Sequence, residues 1–122
     1  MADKTDIRVK RAYEDAAPGD GRRILVDRIW PRGLTKEKAA LDHWAKAAAP
    51  STELRKWYGH DPEHWEEFRR RYFAELDGNA EAVAELRAAI GEGPATLVFS
   101  SRELRFNNAV ALKAYLERKR EE

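Results

Sequence analysis

The sequence of 122 residues contains no cysteine. A chain without cysteine forms no disulfide bond, holds no metal through thiolate sulfur, carries no iron–sulfur cluster and uses no cysteine nucleophile. The absence of disulfides suits a reducing compartment, so we expect a cytoplasmic protein. No apolar run approaches the roughly 18 residues that cross a bilayer, and the N-terminal segment lacks the apolar stretch of a signal peptide. We therefore expect no membrane association.

The sequence also lacks an excess of either charge. It has 23 Lys and Arg against 22 Asp and Glu, although 37% of its residues are charged. A balanced surface favours solubility and produces no global field that attracts nucleic acid. Domains typically have roughly 100–150 residues, and no linker or repeat divides this chain. We expect a single domain over residues 1–122, with an ordered core over about residues 7–117.

Predicted strands and helices alternate along the sequence. Residues 7–10 alternate apolar and polar side chains, whereas residues 23–27 and 96–99 are runs typical of strands buried on both faces. Residues 41–48 fit either a strand or a helix. The predicted helices begin near Thr35, Ser51, Asp61, Asn79 and Asn107. This order predicts an α/β fold, a single-domain layered sandwich in which helices flank a small, mainly parallel sheet.

A chemically varied set of residues follows the two buried strands, and ligands of open α/β sheets bind beyond the carboxyl ends of strands. The set comprises Asp27, Arg28, Trp30, Arg32, Ser100, Asn107 and Asn108. Arginine forks and helix N-termini bind phosphate or carboxylate, and an indole stacks on a ring. These residues therefore predict a site for a small anionic ligand. Alternatively, Asp27 and Arg28 form ion pairs with neighbouring residues that fasten the loop, while Trp30 and Pro31 cap the core.

The segment Arg23-Ile-Leu-Val-Asp-Arg-Ile-Trp-Pro-Arg-Gly33 resembles the hallmark of the DUF488 family, and in particular its short YeaO-like branch. The resemblance extends over about residues 7–117 and includes Leu54-Arg-Lys-Trp57, Gly59-His-Asp61, Thr96-Leu-Val-Phe-Ser100 and Asn107-Asn-Ala-Val110. The family has no assigned function, so the resemblance implies no particular reaction. Longer relatives carry a Cys-His-Arg-like motif where this sequence has Asn107-Asn-Ala109, and chemistry that needs their thiol does not transfer.

Further candidates lie in the middle of the sequence. His60 matches the family pattern, and histidine suits acid–base chemistry because its ordinary pKa lies near physiological pH. Alternatively, His60 bonds to backbone between two helices. With only His64 nearby and no sulfur ligand, we predict no metal site. Ser51 follows a proline at a helix start, which indicates a cap rather than a nucleophile. Arg55 is predicted either to reach the strand ends or to pair with an acid on the surface.

Two functions of different classes fit these residues. In the first, an Arg- and Trp-lined pocket binds a nucleotide or phosphorylated metabolite; if it is catalytic, Asp27 or His60 serves as acid or base in hydrolysis or group transfer. In the second, the protein is a noncatalytic module for nucleic acid or a protein partner. A concave site at the strand ends favours the first, whereas a flat stripe joining residues 69–71 to Trp57 favours the second. The choice between them leaves enzymatic activity open, and neither requires a cofactor.

Overall fold

The computed structural model describes residues 6–59 and 61–120. Within these residues the sheet has four strands: β1 Ile7–Arg11, β2 Arg22–Leu25, β3 His43–Trp44 and β4 Ala95–Phe99. Their order across the sheet is β1-β4-β2-β3, and every neighbouring pair is parallel. The predicted α/β class is therefore confirmed, and the central position belongs to the two strands that the sequence marks as buried on both faces.

Five α-helices connect and cover these strands in the described part of the chain. They are α1 Lys36–Ala39, α2 Thr52–Tyr58, α3 Trp65–Asp77, α4 Ala80–Ile90 and α5 Asn108–Arg120. The predicted N-caps Thr35, Ser51 and Asn79 are confirmed, since each side chain accepts a hydrogen bond from a first-turn N–H. None of the described helices combines the length and apolar character needed to cross a membrane.

The ambiguous segment 41–48 contains both kinds of structure. Its short strand β3 pairs with β2, and the flanking N–H groups of Asp42 and Ala45 donate to the carbonyls of Arg23 and Leu25. A short 3-10 helix, Lys46–Ala48, follows at once. Tertiary pairing with β2 therefore decides the conformation of a segment whose own pattern favours neither state.

Apolar residues fill both faces of the sheet. The larger core packs Ile24 and Leu97 of the central strands against Phe68, Leu86 and Leu112 from helices α3, α4 and α5. A smaller core lies on the opposite face, around Leu25 and Val98. Because β2 and β4 are parallel neighbours, the loops that follow them meet at one edge of the sheet. We call residues 26–35 the β2 loop and residues 100–107 the β4 loop.

Candidate ligand site at the strand ends

A cavity of about 560 Å³ opens where β2 and β4 end. The β2 loop, the β4 loop and α2 supply its walls. Every predicted site residue in the described part of the chain lines this cavity: Asp27, Arg28, Trp30, Arg32, Arg55, Ser100, Asn107 and Asn108. His60 lies outside the described residues. The predicted residues thus share one concave surface, and their role in binding stays a prediction.

Asp27 joins the ends of the two central strands to the start of α5. Its Oδ2 accepts hydrogen bonds from the N–H and the hydroxyl of Ser100, at 2.9 and 2.8 Å. Its Oδ1 accepts one from the side-chain amide of Asn108 at 3.0 Å, and that amide also donates to the Val26 carbonyl. The donors on both carboxylate oxygens are neutral groups, so Asp27 fastens the loop through hydrogen bonds rather than the predicted ion pair.

Arg28 connects the β2 loop to the turn that precedes α2. Its Nε donates to the Pro50 carbonyl and its Nη2 to the Ala49 carbonyl, both at 3.1 Å. The side chain is half-buried and makes no ion pair with the described residues. Arg28 therefore holds its part of the wall in place while its positive charge remains beside the cavity.

The indoles of Trp30 and Trp44 also hold the β2 loop in place. Trp30 donates its Nε1–H to the Leu34 carbonyl at 2.7 Å, and Trp44 donates its own to the Asp27 carbonyl at 2.7 Å. The two rings meet edge to face, with centroids 5.6 Å apart. Trp30 also packs against the smaller core. The interpretation of Trp30 as a cap on the core is therefore confirmed, although the residue also lines the cavity.

Three cations on the cavity wall have no polar partner among the described residues. Arg32 lies in the β2 loop, and Arg55 and Lys56 lie on the exposed face of α2. None of the three side chains makes a hydrogen bond or ion pair within residues 6–59 and 61–120, so the predicted alternative of a surface ion pair for Arg55 is not found there. These cations remain available to an anion in the cavity.

The cavity also has an aromatic floor that sequence reasoning missed. Tyr58 is buried and donates its hydroxyl to the Phe106 carbonyl at 2.8 Å. Burial, followed by the carboxylates of Glu103 and Asp61, raises the pKa of Tyr58 to about 12, so the phenol is neutral at physiological pH. Phe106 could have been anticipated from its place directly before Asn107, whereas nothing in the local pattern around Tyr58 indicates a cavity.

Asn107 is buried and directly precedes α5. Its Oδ1 accepts from the Val110 N–H at 2.9 Å, and its amide donates to the Glu103 carbonyl at 2.8 Å. This is the arrangement of a helix N-cap, which satisfies a backbone donor that the helix itself cannot pair. Both ends of the Asn107 amide are therefore bonded within the fold. Its predicted contact with a ligand stays a prediction.

The remaining candidates have structural partners. The Ser51 hydroxyl accepts from the Leu54 N–H at 3.1 Å, which confirms the cap, and it donates to the Glu75 carboxylate at 2.5 Å. His64 stacks on Trp57, with ring centroids 5.0 Å apart. Within the described ranges, no group of three or more His, Asp or Glu side chains is placed to hold a metal ion.

The chain is a small α/β domain with a cation-lined cavity at its strand ends. Residues 6–122 match the family described as the inactive DUF488-N3 subclade. The chain is 46% identical over 116 residues to the uncharacterized protein Rv3073c of Mycobacterium tuberculosis, covering 95% of this chain and 98% of that one. It is 40% identical over 111 residues to the uncharacterized protein YeaO of Escherichia coli, covering 91% and 96%. The chain therefore belongs to the DUF488 family and is YeaO-like. No solved structure matches it.

Proposed function

We propose that this protein is a binding domain that holds a small anionic ligand in the strand-end cavity. The observation that carries the proposal is the meeting of Arg32, Arg55 and Lys56, none with a polar partner in the described chain, on one cavity. Asp27 is the only acidic residue among the described residues that line it, whereas Arg28, Arg32, Arg55 and Lys56 supply four positive charges there. The local charge therefore favours an anion.

The ligand has an apolar or aromatic part in addition to its charge. Trp30, Tyr58 and Phe106 present ring surface to the same cavity. Ligand pockets typically have volumes of about 300–1,000 Å³ and combine apolar walls with a few polar groups. A volume of about 560 Å³ accommodates a nucleotide or a phosphorylated metabolite. Its rings would contact the aromatic floor while its anionic group meets the cations.

Binding without catalysis fits this site better than hydrolysis or group transfer. The carboxylate of Asp27 already accepts hydrogen bonds from Ser100 and Asn108, so a proton transfer through it would break the link between β2, β4 and α5. Ser51 caps α2 and is not among the residues that line the cavity. The description of the matching subclade as inactive supports the same conclusion.

A nucleic-acid module is the less favoured candidate because the basic run on α3 is internally paired. Arg70 and Arg71 both bond to Glu67, at 2.5 and 2.7 Å. The guanidinium of Arg71 lies 4.1 Å from the ring centroid of Trp57, and His64 stacks on the same indole. These neighbours cover part of the ring surface on which a base would stack.

The test is calorimetric titration of the full chain with nucleoside mono- and diphosphates, sugar phosphates and a short oligonucleotide, each at two salt concentrations. We expect a subset of the small anions to bind, and we expect Arg32→Gln and Arg55→Gln to weaken that binding at least about tenfold. Arg70→Gln, on the far face of α3, is the matched control and leaves the affinity unchanged. Failure of every small anion to bind, or an equal loss in the control, would overturn the proposal.

A further inference from the structure

Two large apolar side chains lie exposed on the loops that flank the cavity. Ile29 in the β2 loop is 60% exposed and Leu104 in the β4 loop is 61% exposed. The third exposed large hydrophobic residue of the described chain, Trp57, is 37% exposed and stacks on His64. Single exposed apolar residues are ordinary, but two on adjacent loops beside a cavity mark a contact surface.

The same loops carry positive charge that is not matched by available acids. Arg102 and Arg105 lie next to Leu104, and Arg32 lies near Ile29 in sequence. Glu103, the acid between them, uses its Oε2 to accept from the N–H groups of Arg105 and Phe106, at 3.0 and 3.2 Å. The surface therefore combines exposed apolar groups with cations, while its own carboxylates are bonded within the fold.

We infer that the β2 and β4 loops form a docking surface for an acidic segment of a partner protein. Apolar side chains of that segment contact Ile29 and Leu104, and one of its carboxylates enters the cavity near Arg32 and Arg55. The inference rests on the proposed function for this anion subsite, and it identifies the anion as part of a peptide. Charge complementarity selects an acidic segment rather than a basic or neutral one.

A peptide explains the position of Leu104 better than a small ligand does. Leu104 is exposed outside the cavity lining, so an occupant that contacts both Leu104 and the cavity cations must extend across the rim. An extended chain of a few residues does so, since it advances about 3.3 Å per residue. A nucleic-acid backbone would satisfy the cations but offers no aliphatic partner for Ile29 and Leu104.

Both loops are held in place before any partner arrives. Arg11 donates from Nε to the Ser101 carbonyl at 2.9 Å and from Nη2 to the Ser100 carbonyl at 3.0 Å. Trp30 bonds across the β2 loop to the Leu34 carbonyl. A surface fixed in this way loses little conformational freedom on binding, which suits recognition of a flexible segment.

The experiment is a selection of short random peptides, displayed on phage, against the full chain. We expect enriched sequences to combine several Asp or Glu residues with Leu, Ile, Phe or Val. A synthetic peptide of the most enriched sequence is then measured by fluorescence anisotropy. The double variant Ile29→Ser, Leu104→Ser should weaken that peptide at least about tenfold, while Ala84→Ser on the exposed face of α4 leaves it unchanged.

The same variants separate this inference from the proposed function. Of these changes, Leu104→Ser alone lies outside the cavity lining and should retain the affinity of the wild type for the small anions, whereas Arg55→Gln should lose both peptide and small anion. Any of three results would overturn the docking surface. The enriched peptides could lack acidic residues, the same peptides could be enriched equally on the double variant, or an oligonucleotide could bind in preference to any peptide. Small-anion binding that persists in those cases leaves the proposed function standing. Because both side chains are mostly exposed, the double variant should keep the unfolding midpoint of the wild type.

Discussion

One carboxylate oxygen of Asp27 accepts hydrogen bonds from both the backbone N–H and the hydroxyl of Ser100, at 2.9 and 2.8 Å. Asp27 follows β2 and Ser100 follows β4. These bonds therefore connect the two parallel strands just beyond their last paired residues. The other carboxylate oxygen receives the amide of Asn108, the first residue of α5. The candidate site is therefore built on a junction of three elements.

Replacing Asp27 should cost stability before it affects any ligand. Asp27→Ala leaves the Ser100 N–H without its acceptor in a half-buried position and removes one of the two acceptors of the Asn108 amide. We expect a loss of about 1–3 kcal/mol in the free energy of unfolding, measured by urea titration. Asp15→Ala removes an exposed acid whose ion-pair partner in the described chain is Lys38, and it should leave the unfolding curve unchanged. Equal curves for the two variants would contradict the architectural role of Asp27.

Substitution by alanine should lower the free energy of unfolding much more at Arg28 than at Arg32. The Arg28 guanidinium bonds to the carbonyls of Ala49 and Pro50, so Arg28→Ala should lower the free energy of unfolding by about 1.5–3 kcal/mol. Arg32 is exposed with no side-chain partner in the described chain, so Arg32→Ala should change it by less than about 0.5 kcal/mol. Chemical denaturation of both variants makes the comparison. Destabilisation by Arg32→Ala equal to that by Arg28→Ala would show that Arg32 is not free for a ligand.

The location of the candidate site could be predicted from the sequence, because it follows from topology. Buried-type runs before Asp27 and Ser100 imply neighbouring parallel strands, and parallel strands end at the same edge. The partners of individual side chains could not be predicted in this way. Arg28 bonds to Pro50, which is 22 residues away, and this contact depends on the path of the chain through β3 and the turn before α2.

The buried ion pair between Asp20 and Arg23, which lies outside the cavity lining, could not be predicted from the sequence either. Asp20 lies in a segment dense in turn formers, and Arg23 lies in a predicted strand, yet both are buried and paired at 2.7 Å. A basic residue at a strand start usually faces solvent, and no local pattern distinguishes one that turns inward. Only the packing of α1, whose Ala39 carbonyl accepts from Arg23 Nε, creates this environment.

Ser51 and Glu75 should behave as a coupled pair. Glu75 receives both the N–H and the hydroxyl of Ser51, and the same hydroxyl accepts from the Leu54 N–H at the start of α2. Ser51→Ala should cost about 1 kcal/mol, as the loss of a helix cap does. The double variant with Glu75→Gln should cost less than the sum of the two single changes, because both remove the same interaction. Strict additivity in urea titrations would contradict the coupling. Retained small-anion affinity in Ser51→Ala would agree with its role as a cap.

Asp20 should make stability depend on pH in the acidic range. Burial alone would raise the pKa of Asp20, but hydrogen bonds from the Ala17 N–H, Arg23 and Lys10 outweigh it and hold the pKa below its usual value. The folded protein therefore binds this proton less readily than the unfolded chain. The stabilisation is fully present above the unfolded pKa of about 3.9, and it is lost as the pH falls through the lower folded pKa.

Asp20→Asn isolates that contribution. The substitution leaves Arg23, which is 3% exposed and whose Nη2 has no partner in the described structure, without its carboxylate. At neutral pH we expect a loss of about 3 kcal/mol in the free energy of unfolding, because a buried charge loses its counter-ion. Between about pH 5 and pH 3 the variant should also lose less stability than the wild type. Urea titrations at several pH values measure both effects, with Glu81→Gln on the exposed first turn of α4 as the matched control. If the difference between Asp20→Asn and wild type stays constant across that range, the ionised carboxylate of Asp20 does not stabilise the fold through Arg23 and Lys10.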